Sequence, residues 1–194
     1  MSKRSKQVKN MHVVYDPQVM WVLSSPIRVE VLGAICAIGS CSVADIADHT
    51  GRTRTSLYPH IEQLLEAGLV LEGEVRLSGK RYEQLYEPIA RAVGTKHQWD
   101  DPENVAYHQA YGNAVGRLMS RMHERATADP KAVIRGDARD THAGYYNAWV
   151  DDKALKEINK HVDAIRKIAL ESRPDDDHRL VNIGILMSND RRKS

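Results

Sequence analysis

Two short amphipathic segments, a glycine between them and a pair of strand-like runs fill residues 42–87, and this order restricts the fold more than any other feature. Ser42 can cap the first segment as a helix, because its side-chain oxygen accepts from free backbone amides. Asp45 places a negative charge at the positive end of that helix. Gly51 ends the helix, since glycine tolerates the left-handed conformation common at helix C-termini. The pattern predicts a short helix and a tight turn.

The next segment predicts a second helix with a proline inside it. Its apolar residues recur at helical spacing and should be buried: Leu57, Ile61, Leu64 and Leu65. Pro59 lacks an amide hydrogen and its ring crowds the preceding turn, so we expect a late start, a bend or an irregular first turn. The helix should stop at Gly68.

Two alternating runs follow the second helix. Apolar and polar residues alternate from Leu69 to Leu77, as in a half-buried strand, and Tyr82 to Tyr86 continue on a return strand. A Ser78-Gly79-Lys80 tip joins them. Helix, turn, helix and hairpin in this order is the layout of a winged helix-turn-helix, whose second helix enters the DNA major groove while the hairpin reaches the flanking backbone.

Polar and basic side chains remain on the outside of this predicted motif. Arginine binds guanine or phosphate, and serine or threonine donates to either, so these side chains predict contact with double-stranded DNA. In the turn and second helix they are Arg52, Thr53, Arg54, Thr55, Ser56, Tyr58 and His60. In the hairpin they are Arg76, Lys80 and Arg81. For each residue taken singly, a solvated polar surface is the alternative.

The composition adds little to this hypothesis. A net charge of +2 does not by itself suggest nucleic acid, but the first ten residues hold Lys3, Arg4, Lys6 and Lys9 without an acid, which predicts a basic flexible tail over residues 1–15. No apolar run is long enough for a membrane span and no signal-peptide pattern opens the chain. We therefore expect a cytoplasmic protein that does not enter a membrane.

A family resemblance appears once the upstream segment is included. Asp16-Pro17 and Ser25-Pro26 predict two helix starts, the second helix running to about Ile38. LSSPIRVEVLGAI, followed by SVADIADHTG, SLYPHIEQLLEAGLV and RYEQLYEP, resembles the winged-helix domain of ArsR-type transcriptional regulators, in the branch with an extra C-terminal region. The resemblance covers residues 17 to about 92. It implies a homodimer that binds a palindromic operator and usually represses until a signal releases it.

The resemblance does not extend to metal sensing. Metal-sensing members of that family carry Cys-x-Cys where this chain has Ser42 and Ala44, and Cys41 falls one residue outside. Six of the nine histidines lie beyond the predicted hairpin, and no pair of these six shows a spacing diagnostic of zinc. They are His97, His108, His123, His142, His161 and His178. Phosphate-loop, nucleophile-elbow and HExxH patterns are also missing. We therefore expect no metal, no cofactor and no catalysis.

Residues beyond the hairpin predict further helices. A helix should run from Pro88 to about Gly94, and a long amphipathic helix should start at Asp101-Pro102. The long helix has an apolar stripe at helical spacing: Tyr107, Tyr111, Val115, Leu118 and Met122. Such a stripe predicts core packing or a dimer interface, and the wall of a ligand pocket is the alternative.

The last third predicts a strand, a helix and a second strand. Residues 142–150 are aromatic enough for a strand, and Asp151-Asp152 should cap a helix with a regular apolar seam. Residues 180–187 alternate as a strand would. Tyr145, Tyr146 and Trp149 are expected in a core, with a small-molecule pocket as the alternative.

The predicted fold class is mainly α with small β. A winged helix-turn-helix over residues 16–98 follows the tail, and residues 99–194 form a C-terminal α+β dimerisation or effector-sensing region. The predicted function is a sequence-specific DNA-binding regulator, favoured as a repressor, acting as a homodimer on a palindromic operator; an unknown small-molecule effector is kept as a third partner. The alternative is a winged-helix protein-interaction module that does not bind DNA.

Overall fold

The computed structural model describes residues 10–172 and 179–188. In chain order the elements are β1 (His12–Val14), α1 (Pro17–Val22), α2 (Pro26–Ile38), β2 (Cys41–Ser42), α3 (Val43–Thr50), α4 (Arg54–Glu66), β3 (Val70–Ser78), β4 (Arg81–Pro88), β5 (Val93–Thr95), α5 (Pro102–Thr127) and α6 (Asp152–Glu171). The chain divides into two compact units, Met1–Ala114 and Val115–Ser194, and the division falls within α5.

The predicted starts of the first two helices are confirmed. Asp16 accepts a hydrogen bond of 2.8 Å from the Gln18 amide and caps α1. Pro26 begins α2, where a missing amide hydrogen costs nothing because the first turn has no helical acceptor for it. Gly39 ends α2 with φ of +91°, a conformation that residues with a Cβ rarely adopt.

The core of the first unit lies where α2, α3 and α4 pack together. The predicted face of α4 is confirmed, because Leu57, Ile61 and Leu64 are buried, while Leu65 is half-buried. Across from them, α2 and α3 contribute Val31, Ile35 and Ile46. Each buried aliphatic side chain of this size stabilises the fold by ~1.5–3 kcal/mol relative to an exposed one, so this packing holds the two motif helices at a fixed angle.

The hairpin forms as predicted, but its alternating pattern does not reflect burial. β4 lies between β2 and β3 in an antiparallel sheet, and Ser78 pairs with Arg81 at the tip. Val70 at the start of β3 is buried, whereas Leu71, Val75 and Leu77 are 45–61% exposed. The prediction of a half-buried strand is wrong for most of β3, because from Leu71 to Ser78 every side chain is exposed on both faces of the strand and only Gly73 is half-buried.

A second, two-stranded ribbon replaces two predicted elements. His12–Val14 pairs in parallel with Val93–Thr95. The predicted helix over residues 88–94 is therefore wrong, and the predicted flexible tail is wrong at His12–Val14; residues 1–9 of that tail lie outside the described residues. The cause is a pairing between segments about 80 residues apart in sequence, which local periodicity does not register.

In its described residues the second unit contains helix and no strand, so the predicted α+β arrangement is wrong there. The predicted helix is confirmed, since Asp151 caps α6 by accepting a 2.7 Å hydrogen bond from the Ala154 amide. Both predicted strands, over residues 142–150 and 180–187, are wrong. In the described part of this unit those segments lack a strand partner, and alternating apolar residues do not form a strand unless another strand satisfies their backbone groups. The predicted aromatic core is wrong too, because Tyr145, Tyr146 and Trp149 are exposed.

Candidate nucleic-acid interface

The first motif helix is fixed at its N-terminus by a capping box. The Asp45 amide donates to Ser42 Oγ at 3.3 Å, and the Ser42 amide donates to Asp45 Oδ2 at 2.8 Å. These bonds satisfy two backbone donors that a helix N-terminus leaves free. They also lower the pKa of Asp45, the largest cause being the Ser42 amide, so this carboxylate is charged at neutral pH.

The turn between the motif helices is tied to α2. Gly51 has φ of +68°, the predicted left-handed stop. Arg52 follows it and donates through Nε to Glu30 Oε2 at 2.8 Å, where the Glu30 side chain is only 2% exposed. The predicted DNA contact Arg52 therefore has its Nε engaged by a buried carboxylate, which orients the turn that precedes α4.

The exposed polar residues of α4 gather at its N-terminus. Thr53, Arg54, Thr55 and Ser56 are all exposed, and Tyr58 is 52% exposed. A helix N-terminus carries a partial positive charge and free amides, which favour phosphate nearby. This first turn matches the part of a recognition helix that contacts base edges in the major groove.

The first turn of α4, which precedes Pro59, is tightened, and the start of the helix is not delayed. The helix begins at Arg54 and continues through Pro59. The Ser56 amide donates to the Thr53 carbonyl at 3.1 Å, a bond that spans three residues instead of four, and Ser56 Oγ donates to the same carbonyl at 2.8 Å. The expectation of an irregular first turn is confirmed, and a late start is wrong.

His60 lies on the flank of α4 rather than on its outer face. It is half-buried, and its Nδ1 is buried without a hydrogen-bond partner. Burial lowers the pKa of His60, and the nearby charges of Arg28 and Arg52 lower it further. The structure thus places His60 near Arg28 of α2 and Arg52 of the turn, and not among the exposed first-turn residues.

The hairpin tip exposes two cations, whereas Arg76 turns back towards α3. Gly79 has φ of +61° in a two-residue tip, and Lys80 and Arg81 are exposed beside it. Arg76 Nη2 donates to Asp45 Oδ2 at 3.0 Å, to Glu83 Oε2 at 3.1 Å and to Ser42 Oγ at 3.3 Å. Arg76 therefore connects the hairpin to the cap of the first motif helix.

The predicted dimer stripe of α5 is divided between the two units. Tyr107 is fully buried in the core of the first unit, stacked on Tyr111 with ring centroids 5.9 Å apart. We assign Tyr107 to the core, since a side chain enclosed by its own unit cannot reach a second copy. Val115, Leu118 and Met122 lie in the second unit and are half-buried.

Sequence reasoning missed a stacked histidine pair beside this stripe. The rings of His97 and His108 stack with centroids 3.7 Å apart, and Trp99 stacks on His97 at 5.2 Å. Burial lowers the pKa of His108, and the charge of His97 adds to this effect. No local signal marks the pair, because the loop before α5 brings together positions that have no periodic relation.

Ser42, at one of the two positions where ArsR-type metal sensors carry thiols, belongs to the capping box of α3. Cys41, one residue earlier, is a buried free thiol whose pKa burial raises to about 12, so it stays protonated at neutral pH. Among the described residues, no three His, Cys, Asp or Glu side chains converge in a way that could hold a metal ion. His178 lies outside the described residues.

Comparison with known families agrees with this geometry. Residues 23–72, from the residue after α1 through the first residues of β3, match the family model described as a helix-turn-helix domain. Among curated proteins, none matches the chain. Within the described residues, no helix is both long and apolar enough to cross a membrane. Residues 23–72 thus form a helix-turn-helix domain, the kind with which transcriptional regulators bind DNA.

Proposed function

We propose that this protein is a sequence-specific transcriptional repressor of the ArsR type, located in the cytoplasm, that binds a palindromic operator as a homodimer. The observation that carries the proposal is the exposed first turn of α4, with Arg54, Thr55 and Ser56 accessible while the opposite face of the helix is buried. Arginine and hydroxyl side chains at this position are the groups that read base edges and phosphates.

The ten predicted DNA-binding residues divide into two roles in this proposal. Contact with DNA is assigned to the exposed ones: Thr53, Arg54, Thr55, Ser56, Tyr58, Lys80 and Arg81. Positioning is assigned to those bonded within the domain or half-buried: Arg52, His60 and Arg76. An arginine that donates to a carboxylate of its own domain is restrained by that bond, and leaving the carboxylate unpaired would cost free energy.

The acidic residues of α4 support contact through its N-terminal half. Glu62 and Glu66 are exposed in the second half of the helix, and their charge would repel phosphate. The N-terminal half has Arg54 and no acid. The helix is therefore polarised, and its cationic end is the end that the recognition helix presents in this class of motif.

Selection of bound fragments from a random duplex library tests the proposal. Two copies of one recognition helix should select a palindrome whose half-sites are separated by about one DNA turn, ~34 Å. Reporter expression with the selected site upstream, in cells with and without the protein, then distinguishes repression from activation. Failure to enrich any sequence, with binding insensitive to salt, would contradict the proposal.

A protein-interaction module is the second candidate, and the exposed apolar side chains of the β3–β4 hairpin favour it. Leu71, Val75, Leu77 and Tyr82 are 45–79% exposed, and an exposed apolar patch of this kind often marks a protein-binding surface. A salt titration with random duplex separates the candidates, because a protein that neutralises phosphates shows a steep fall of affinity with salt. A protein-interaction module that does not contact DNA would show no such slope.

A further inference from the structure

The described apolar residues of the second unit are exposed or half-buried, and none of them is buried. In the described part of the chain, every buried apolar residue belongs to Met1–Ala114. Large apolar side chains of the second unit are exposed in four stretches of the chain. They are Ile134, Tyr145, Tyr146, Trp149, Val150, Leu155, Ile158, Ile165, Ile168, Leu180, Val181, Ile183, Ile185, Leu186 and Met187. A unit of this composition gains most of its hydrophobic stabilisation only when another surface covers it.

Helix α6 has the most regular of these surfaces. Leu155, Ile158, Val162, Ile165 and Ala169, here named the α6 seam, repeat at intervals of three and four residues over a helix of 20 residues, and no residue of α6 is buried. A narrow stripe with this spacing fits between the side chains of one facing helix, as in a two-stranded coiled coil. The spacing therefore indicates that the occupant is a helix.

The charges of α6 argue against an anionic occupant such as a lipid surface. The helix carries Lys153, Lys156, Lys160, Arg166 and Lys167 as bases, and Asp152, Glu157, Asp163 and Glu171 as acids. Helices that bind anionic membranes have a polar face dominated by lysine and arginine. Five bases against four acids leave this helix almost neutral, which is typical of an exposed polar face on a helix that pairs with another helix.

Taken together, the exposed apolar side chains of the second unit offer an area of the size that a stable pair of subunits buries. Tyr145, Tyr146 and Trp149 are 81–91% exposed, and aromatic side chains bury ~150–250 Å² each, so these three offer ~400–600 Å². A specific interface buries ~800 Å² on each partner. The aliphatic side chains of the α6 seam and of residues 180–187 supply the remainder, because most of them are 38–65% exposed.

We propose that the α6 seam packs on the α6 seam of a second copy of this chain, and that this contact, rather than the stripe of α5, joins the two subunits. The inference rests on the proposed function in one respect, because a palindromic operator requires two identical subunits. A second copy fits the seam by symmetry, since the same helix supplies the same narrow apolar stripe from both sides.

Two neighbouring substitutions test the contact with the full-length chain. Ile165→Glu puts a charge in the α6 seam, and Ala164→Glu puts the same charge one residue away on the exposed opposite side. Sedimentation equilibrium over a dilution series should show a dimer for wild type and Ala164→Glu. Ile165→Glu should raise the dimer dissociation constant by ~100-fold or more, because symmetry buries two uncompensated charges. An unchanged dissociation constant in Ile165→Glu, or a monomeric wild type, would overturn the proposal.

Cross-linking keeps the test decisive if Ile165→Glu fails to fold. Val162→Cys places a thiol at the centre of the α6 seam, where two copies meet in either helix orientation, and Ala164→Cys is the control. Mild oxidation should join Val162→Cys chains into a covalent dimer and leave wild type and Ala164→Cys unjoined. Equal cross-linking of Val162→Cys and Ala164→Cys would overturn the proposed contact.

Binding to half-sites separates failure of this contact from failure of the proposed function. A monomeric Ile165→Glu protein should bind one half-site with the affinity of wild type and lose the tighter binding to the full palindrome. A wild-type dimer without affinity for any duplex would refute the proposed function and leave the interface intact. An Ile165→Glu dimer that still binds the palindrome would refute the interface alone.

Discussion

The role of an arginine in this domain depends on whether a carboxylate of the same domain already binds its guanidinium group. Arg54 is exposed at the first turn of α4, and no hydrogen bond or ion pair is found for it among the described residues. Arg52 and Arg76 are bound to carboxylates. A free guanidinium can bind guanine or phosphate, whereas a paired one holds two elements together. Residue type alone therefore does not separate contact from positioning.

Replacement of Arg54 should weaken binding to the operator. Arg54→Ala should cost ~1–3 kcal/mol if the side chain reads a base, with relaxed specificity at one position of the operator. A phosphate contact would instead weaken binding uniformly across sequences and flatten the salt dependence. Competition assays with single-base operator variants measure this. The control is Arg117→Ala, an exposed arginine of α5, which should bind as wild type does.

Arg76 and Lys80 lie on the same hairpin and should respond differently to alanine. Lys80→Ala should lower the slope of binding against salt by about one without changing stability, since it removes one phosphate contact. Arg76→Ala should increase hydrogen exchange of the hairpin and α3 in the absence of DNA, because the link to Asp45 is lost. Unchanged exchange in Arg76→Ala would contradict the positioning role.

At the scale of elements, the stability of the short helix α3 depends on its N-terminal cap and on its packing. Eight residues are too few for a helix that is stable by itself, so the bonds at Ser42 and the packing of Ile46 hold it in place. Arg76 uses the same Asp45 carboxylate as the capping box. The hairpin and the first motif helix are thereby coupled through one acidic side chain.

Loss of the cap should destabilise the helix-turn-helix. Ser42→Ala should reduce the free energy of unfolding by ~0.5–2 kcal/mol, because the Asp45 amide loses its acceptor. The midpoint of urea unfolding measures the change. Ser40→Ala, two residues earlier at an exposed position, should leave the midpoint where it is. Equal midpoints for all three proteins would show that the capping box contributes nothing.

At the scale of the whole molecule, two half-buried histidines should make stability depend on pH. The pKa values of His60 and His108 are lowered from 6.5, chiefly by burial, with Arg28 and Arg52 near His60 and His97 near His108. A lowered folded-state pKa means that the unfolded chain binds protons first as the pH falls. The contribution of these two histidines to the free energy of unfolding is therefore complete above pH 6.5 and declines below it.

Urea unfolding at several pH values checks this dependence. Stability should be constant from neutral pH down to about 6.5 and should decrease as the pH falls further, through the folded-state pKa values. The double variant His60→Gln, His108→Gln should reduce that decrease, while His142→Gln, at an exposed position, should not. A decrease of the same size in the double variant would assign the effect to other groups.

The sequence by itself determined the elements whose signals are local. Ser42 with Asp45 and the glycine at position 51 specify a capped helix and its stop, and the spacing of Leu57, Ile61 and Leu64 specifies the buried face of α4. Each of these signals acts within one or two turns of chain. Hence the helix-turn-helix, the hairpin and its exposed cations could be predicted from sequence.

Only the tertiary structure decided what depends on distant neighbours. The pairing of His12–Val14 with Val93–Thr95, and the bonds of Arg52 to Glu30 and of Arg76 to Asp45, join positions 22 to about 80 residues apart. Residues 180–187 show the converse, because an alternating pattern describes a strand only where a partner strand exists. Local periodicity reports which side of an element is apolar, but the partner that covers that side is a property of the folded chain.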